Sequence, residues 1–470
     1  MLFRMRRWSQ KFFPEKYELS MVVLFYIAFF LLTINYRLFA DDAAHVETAK
    51  EIGIWKLYLV HLTQWQPRVV SYFLTNFFVV FSNLWKFIAP LPVVVVLYDF
   101  YHVVCKKSDI RLVMLTFSSV FLMSAAVFFI CYLWISGWTN YMVLFALMWI
   151  ALKPIIKLTR GISNGGLDTM VGKTSYFIVA VSACWSEQFA MLIVGFVICA
   201  MAFTRYRKIH VTKTMWIYST TLLVVSLIFF YLNAKSPRAN GMLEIGDFFQ
   251  DFEMRSFIDK FFQMLNLTHN NLVFDSQFIM LPLLGMLAFT IYKKHNSFVR
   301  YFGFLPLSLQ VFLTFPFNLL FNNQLHVSYP ITTIFNLIST GYDIDSFDIA
   351  LNTLFIPLCT TTEVILIGFT AFFVFDNVAE KFVNFVLWVG GLCCSYILML
   401  SPTMYASGNR LFLLLDMILV FFFIGVNHQA FTVIKSETIK NIYTITLISL
   451  AIFVFCGLFF RSNVMHHILY

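Results

Sequence analysis

Charge is scarce in this chain: Asp, Glu, Lys and Arg make up 12% of its 470 residues, against about a quarter in ordinary soluble domains. So few charges cannot clothe a water-exposed globule, which excludes that class. Glycine (18) and proline (12) are too sparse for a collagen-like or linker-rich chain, and no low-complexity tract or soluble-domain boundary interrupts the sequence. The eight cysteines lie almost entirely in apolar runs, among them Cys131, Cys199, Cys359, Cys393, Cys394 and Cys456. None has metal-ligand spacing with a histidine, so they read as packing residues and imply no disulfide. The first apolar run is long and no small-residue cleavage site follows it, so no cleavable signal peptide is expected.

What is present in excess is apolar length. The chain is 60% hydrophobic, with repeated runs of roughly 20 residues, the length that spans a bilayer. This predicts an all-α, polytopic integral membrane protein forming one domain over residues 1–470. The 58 Phe residues are lipid-compatible background. The net charge of +9 follows topology: with Arg4, Arg6, Arg7, Lys11 and Lys16 in a cytoplasmic segment 1–18, most basic clusters fall inside, including Lys106-Lys107, Arg205 to Lys213 and Lys293-Lys294. Nucleic acid is therefore not an expected partner, and membrane lipid is.

Spans are expected near Leu19–Leu38, Leu112–Ile135, Tyr141–Leu152, Met215–Leu232, Phe278–Tyr292, Tyr301–Leu320, Leu351–Phe375, Phe382–Leu400, Leu411–Val426 and Ile442–Phe460. Val69–Val104 reads as an outer half-helix followed by one crossing, with Pro90 and Pro92 as the interruption. Ser175–Phe203 reads as two short helices around the polar apex Cys184 to Gln188, with Glu187 aimed into a cavity. The total is about 11–13 crossings. Outer loops are expected at 39–68, where Ile54, Trp55, Leu57, Tyr58, Leu59 and Leu62 suit an interfacial helix, and at 233–277 and 321–350, the last containing Asp343, Asp345 and Asp348.

The chemistry concentrates in the first outer loop. Asp41 and Asp42 are adjacent carboxylates at the mouth of the bundle, costly to desolvate, with His45 and Glu47 next and Gln64-Trp65-Gln66-Pro67-Arg68 closing the loop. Two other outer segments echo each other: Ser236-Pro237-Arg238-Ala239-Asn240-Gly241, just after Lys235, and Ser401-Pro402 leading to Ser407-Gly408-Asn409-Arg410. Each sets an Arg, whose planar fork suits phosphate oxygens, beside small and amide residues. Glycosyl transfer from a lipid phosphate needs these parts: a carboxylate to take the acceptor's proton, and cations to stabilise the departing phosphate. Asp41 or Asp42 offers the base, and Arg68, Arg238 and Arg410, with Lys235, offer the clamp. The plain alternatives are helix-capping carboxylates and interfacial Arg anchors on bulk lipid.

Asp41-Asp42, Trp65-Gln66-Pro67-Arg68, Trp185-Ser186-Glu187-Gln188, Ser236-Pro237-Arg238 and Asn409-Arg410 together resemble the GT-C superfamily of polyprenyl-phosphate-sugar-dependent glycosyltransferases. More narrowly they are similar to the bacterial family that includes O-antigen glucosyltransferases. The resemblance implies an inverting enzyme on the outer face of a bacterial cytoplasmic membrane. Its donor is an undecaprenyl-phosphate-linked sugar, and its acceptor is a cell-envelope glycan. It implies catalytic roles for Asp41, Asp42 and Glu187, donor-phosphate roles for Arg68, Lys235, Arg238 and Arg410, and acceptor or sugar contacts from His45, Trp65, Trp185, Gln188 and Asn409. No cofactor is expected, and a divalent metal is not indicated. Pro67 stands where the family more often has Gly, and Glu187-Gln188 replaces an Asn-Glu type pair. Replacing either Asp by Asn is expected to abolish transfer without loss of folding. Glu363 and Asp416, inside predicted spans, are further candidates. The rival class is a transporter or flippase for a lipid-linked metabolite, which is expected to carry repeats relating its halves; only the short Arg echo is visible.

Overall fold

A computed structural model describes residues 16–34, 36–38, 41–105, 109–162, 167–238, 256–314, 351–400 and 408–468. The basic residues Arg4, Arg6, Arg7 and Lys11, the Lys106-Lys107 pair, residues 239–255, the whole 321–350 loop and the stretch 401–407 lie outside them. The described residues are helical and contain no strand. In chain order the helices are α1 (Lys16–Thr33), α2 (Asp41–Ile52), α3 (Ile54–Gln64) and α4 (Val69–Val80), then α5 (Ser82–Val104), α6 (Ile110–Leu122), α7 (Ala125–Tyr132), α8 (Ile135–Thr159), α9 (Met170–Ala183), α10 (Glu187–Tyr206), α11 (Lys213–Ala234), α12 (Phe257–Asp275) and α13 (Gln277–Lys294). They continue as α14 (Phe304–Thr314), α15 (Leu351–Val374), α16 (Val378–Leu400), α17 (Asn409–Val433) and α18 (Glu437–Ile468).

Among the described residues seven helices are long and apolar enough to cross a membrane, and two bent pairs raise the figure to nine if each is one span. This is the architecture of a polytopic membrane protein. Several boundaries differ from the sequence reading for local physical reasons. The stretch expected as one span at Leu112–Ile135 is α6 and α7, bent by 91°. The span expected at Tyr141–Leu152 starts earlier and runs past Lys153, because Lys153 pairs with Asp99 on α5 and need not leave the helix. The half-helix and crossing expected in Val69–Val104 are α4 and α5, but the chain breaks at Phe81; Pro90 sits within α5 at the join of its two segments. The two arms around Cys184 to Ser186 are unequal: α9 is short, whereas α10 is 20 residues long and can cross by itself. The loop expected at 233–277 is helical from Phe257 onward, and its α12 is bent by 81° against α13.

The contacts divide the chain into two compact units, one holding α1–α11 and α18, the other α12–α17 with Leu122–Ser124. In the first, α1 packs on α5, α6 and α18. The phenylalanines that composition reads as background do specific packing here: Phe25 lies 5.3 Å from Phe117 and Phe29 lies 5.6 Å from Phe128, ring to ring. In the second, α17 is apolar around its circumference and buried over nearly its whole length, packing on α13 and α16.

The start of α8 positions the site. Gly137 lies in its first turn, where an added Cβ would stand 2.0 Å from the Ile130 carbonyl oxygen, a backbone atom that cannot swing aside. Trp138 anchors the same turn by donating Nε1–H to the Ala89 carbonyl at 3.0 Å. Gly137→Ala is expected to lower stability by about 1–3 kcal/mol, whereas Gly195→Ala in α10, with nothing near the new methyl, gains up to about 1 kcal/mol of helix stability. Thermal unfolding of the two detergent-solubilised variants measures the contrast; equal melting temperatures would refute the close approach at Gly137.

Candidate functional site

The acidic pair opens α2, where two carboxylates complement the positive end of the helix dipole. Adjacent helical residues point about 100° apart, and the pair divides accordingly. Asp41 is exposed. Asp42 is fully buried, and its carboxylate fills the N-terminus of α8: Oδ2 accepts from the Ile135 amide at 3.2 Å and Oδ1 from the Ser136 amide at 3.1 Å. The Ser136 hydroxyl and the Tyr36 hydroxyl donate to the same group. Asp42 thus supplies from a distant helix the cap that α8 lacks locally. Burial pushes its pKa up from 3.8 to about 6, and the donors from Ser136, Tyr36 and Ile135 pull the other way. Tyr36 stays a phenol because burial and the neighbouring carboxylate both raise its pKa.

A second cluster forms where the chain passes from α3 to α4. Arg68, at the start of α4, makes an ion pair with Glu187, the first residue of α10, at 2.7 Å. Burial opposes the charge on Arg68, and Glu187 more than restores it. A second Arg68 nitrogen donates to Asn140 Oδ1 at 3.3 Å. Gln66, which sequence reasoning gave no role of its own, is the hub. Its Nε2 donates to Glu187 Oε1 at 2.9 Å and to Asn233 Oδ1 at 3.4 Å, while its Oε1 accepts from Arg238 at 2.5 Å. The Arg238 backbone amide also donates to the Trp65 carbonyl at 3.3 Å, with the guanidinium 5.8 Å from the Trp65 ring centre. The two segments singled out in the sequence are therefore tied together.

Asn140 joins this cluster to the acidic cap, since its Nδ2 donates to the carbonyl of Ser136, the residue that holds Asp42, at 2.7 Å. The structure brings together Asp42, Arg68, Glu187, Arg238 and Trp65, and adds Tyr36, Gln66, Ser136, Asn140 and Asn233. Ser136 and Asn140 are four residues apart, polar positions on one face of an apolar run, a signal legible in the sequence. Tyr36 carries no such signal.

The other sequence candidates lie elsewhere. His45, one turn after Asp41, sets its ring 4.8 Å from that of His61 on α3, and His61 Nδ1 lies 3.4 Å from Asn76 Nδ2. Burial lowers the pKa of His45 while Asp41 pulls it up; burial and the neighbouring His45 lower that of His61 to about 4. Lys235 is exposed and turns to Tyr231 on its own helix, outside the network. Trp185 packs edge-on against Phe229, 6.1 Å between centres, and Gln188 is buried in α10. Asn409 and Arg410 belong to the second unit, where Asn409 Nδ2 donates to Asp275 at 3.5 Å. Asp416, buried in α17, accepts from Asn271 at 2.7 Å. Glu187, expected to face a cavity, has its carboxylate engaged by Arg68 and Gln66. In Asp42→Asn the amide nitrogen would meet a backbone N–H of α8 whichever way it turned, so a loss of stability is expected there. Among the described residues no group of three His, Cys, Asp or Glu is placed to hold a metal ion. No protein-family model, curated protein or solved structure matches this chain.

Two expectations follow. Because the folded chain holds the Asp42 proton more tightly than the unfolded one, stability from this group is complete below pH 3.8 and declines as pH rises through about 6. Wild type should lose up to about 3 kcal/mol relative to Asp42→Asn across that window; parallel stability curves from chemical denaturation at each pH would contradict it. The Arg68 and Glu187 side chains are only 15% and 22% exposed, so Arg68→Gln and Glu187→Gln should each destabilise, with a double-mutant coupling of about 0.5–3 kcal/mol. A coupling of zero would mean that the pair is not formed.

Proposed function

We propose that the protein is a membrane glycosyltransferase of GT-C type, moving a sugar from a polyprenyl phosphate to a cell-envelope glycan with inversion at the transferred carbon. The observation that carries this reading is the continuous polar network in the first unit, which links an acidic helix start to two arginines. Arg68 meets Glu187 and Arg238 meets Gln66 in this network, and guanidinium forks suit the oxygens of the phosphate that departs. Glu187 and Gln66 hold the arginines in place. Asp41, the exposed member of the acidic pair, is the carboxylate that an acceptor hydroxyl can reach. Asp42 builds the platform. The exposed Trp55 and Leu59 of α3 suit the interfacial helix of the first outer loop. The wider reading has about 11–13 spans in a bacterial cytoplasmic membrane, a cytoplasmic N-terminus and the site on the outer face.

One observation favours the transporter reading. Glu363 is 1% exposed within apolar α15, and its Oε1 has no hydrogen-bond partner among the described residues; such groups mark ion pathways in membrane bundles. Envelope polysaccharide from a deletion strain separates the two. Wild type should restore a missing sugar substituent. Asp41→Asn should restore none while reaching the membrane at wild-type level, and Arg238→Ala should lower incorporation by about 10-fold or more. Mass spectrometry of the glycan reads the result, and an unchanged glycan in the deletion strain would remove the enzyme reading.

A further inference from the structure

We propose that the second unit binds a sodium ion among the side-chain oxygens of Asn271, Ser276 and Asp416, with Asp275 beside them. This site stands apart from the glycosyl-transfer reading, which neither needs it nor falls with it. It forms where regular helix breaks. Asn270–Asp275, the end of α12, is a π-helical turn, and the Ser276 amide donates to the Asn271 carbonyl at 2.8 Å across it. The chain then bends by 81° into α13. Such turns are rare and recur at functional sites. Asp416, fully buried in α17, meets this one through Asn271, whose Nδ2 donates to Asp416 Oδ1 at 2.7 Å.

That bond leaves much of the local polarity unmatched. Asp416 Oδ2, Asn271 Oδ1 and Ser276 Oγ have no hydrogen-bond partner among the described residues, and all three residues are buried, with at most 1% exposure. The Ser276 hydroxyl faces the Asp416 carboxylate without bonding to it. The Ser124 amide faces the same carboxylate, and the charge of Asp275 acts on it. Asp275 is held in turn by Asn409, which donates to it at 3.5 Å. The described groups around Asp416 are thus an amide, a hydroxyl, a backbone N–H and a second carboxylate, and none of them is a cation.

A buried carboxylate needs an opposite charge, and a water molecule would bring none. Carboxylate, amide and hydroxyl oxygens are the donors that a hard cation takes. The charge of the ion follows from the count. One fully buried carboxylate asks for one positive charge, whereas calcium and magnesium sites draw on more anionic oxygens. Helix dipoles do not decide the matter, because the negative end of α12 and the positive start of α13 meet here and oppose each other. In membrane bundles sodium binds at broken helices of this sort.

The test uses the full chain purified in detergent, in sodium chloride or choline chloride at equal ionic strength. Wild type should melt higher in sodium chloride, by a margin that grows with concentration, and should bind radiolabelled sodium saturably. Ser276→Ala should weaken that binding by about 10-fold and yet melt with wild type in choline chloride, since its hydroxyl has no bond to lose. Asp416→Asn should lose both the binding and the salt effect; if it does not fold, Ser276→Ala carries the test. Equal melting in the two salts with no saturable sodium binding overturns the site, and so does sodium affinity that Ser276→Ala leaves unchanged. Ser276→Ala equally destabilised in both salts would mean that Asp416 holds a proton bonded to that hydroxyl, which also overturns it.

Discussion

The buried carboxylate of Asp42 is the constraint on which the site depends. An anion with no exposure to water survives only if donors surround it, and here they come from two places in the chain: Tyr36, and the start of α8 with its first two amides and the Ser136 hydroxyl. Meeting that demand docks the start of α2 against the start of α8. It also aims the rest of α2, because once Asp42 points inward the helical repeat directs Asp41 outward and places His45 one turn further along. Asn140, one turn into α8, is delivered to Arg68 by the same contact.

Around Arg68 the problem is the reverse, since cations must be kept charged in a setting poor in water. Glu187 does part of this, and Gln66 does the rest with an amide that donates at one end and accepts at the other. A carboxylate in place of Gln66 would repel Glu187, and an apolar side chain would leave Arg238 and Glu187 each short of a partner. The hub therefore has to be a neutral group with both functions. That requirement ties the link between α3 and α4 to the segment after α11, with Gln66 and Arg238 172 residues apart in the chain.

The helical membrane class was legible in the sequence because it rests on run length and on scarcity of charge, which the bilayer imposes residue by residue. Boundaries were less legible where a polar residue finds a partner inside the bundle. Lys153 looks like the end of a span until Asp99 is seen beside it, and Phe257 to Asp275 looks like a loop because its polar residues hide an apolar face. The acidic pair, Arg68, Glu187 and Arg238 stood out as costly groups at helix ends. Gln66 and Asn233 did not, because a neutral amide near a membrane surface carries no cost that a sequence displays; only the arginine and glutamate brought beside them give them a role.

Adjacent identical residues invite the assumption of a shared function, and helical geometry argues otherwise. With side chains about 100° apart, one member of a buried-edge pair must face the bundle when the other faces out, so each meets a different solvent and a different set of donors. Asp42, saturated by donors, can exchange a proton only if the α8 cap opens. Asp41 is exposed and lies outside that cap. An acidic pair at a helix entrance can thus hold the scaffold with one carboxylate and leave the other open to solvent, and the fold decides which is which through the side of the helix each one occupies.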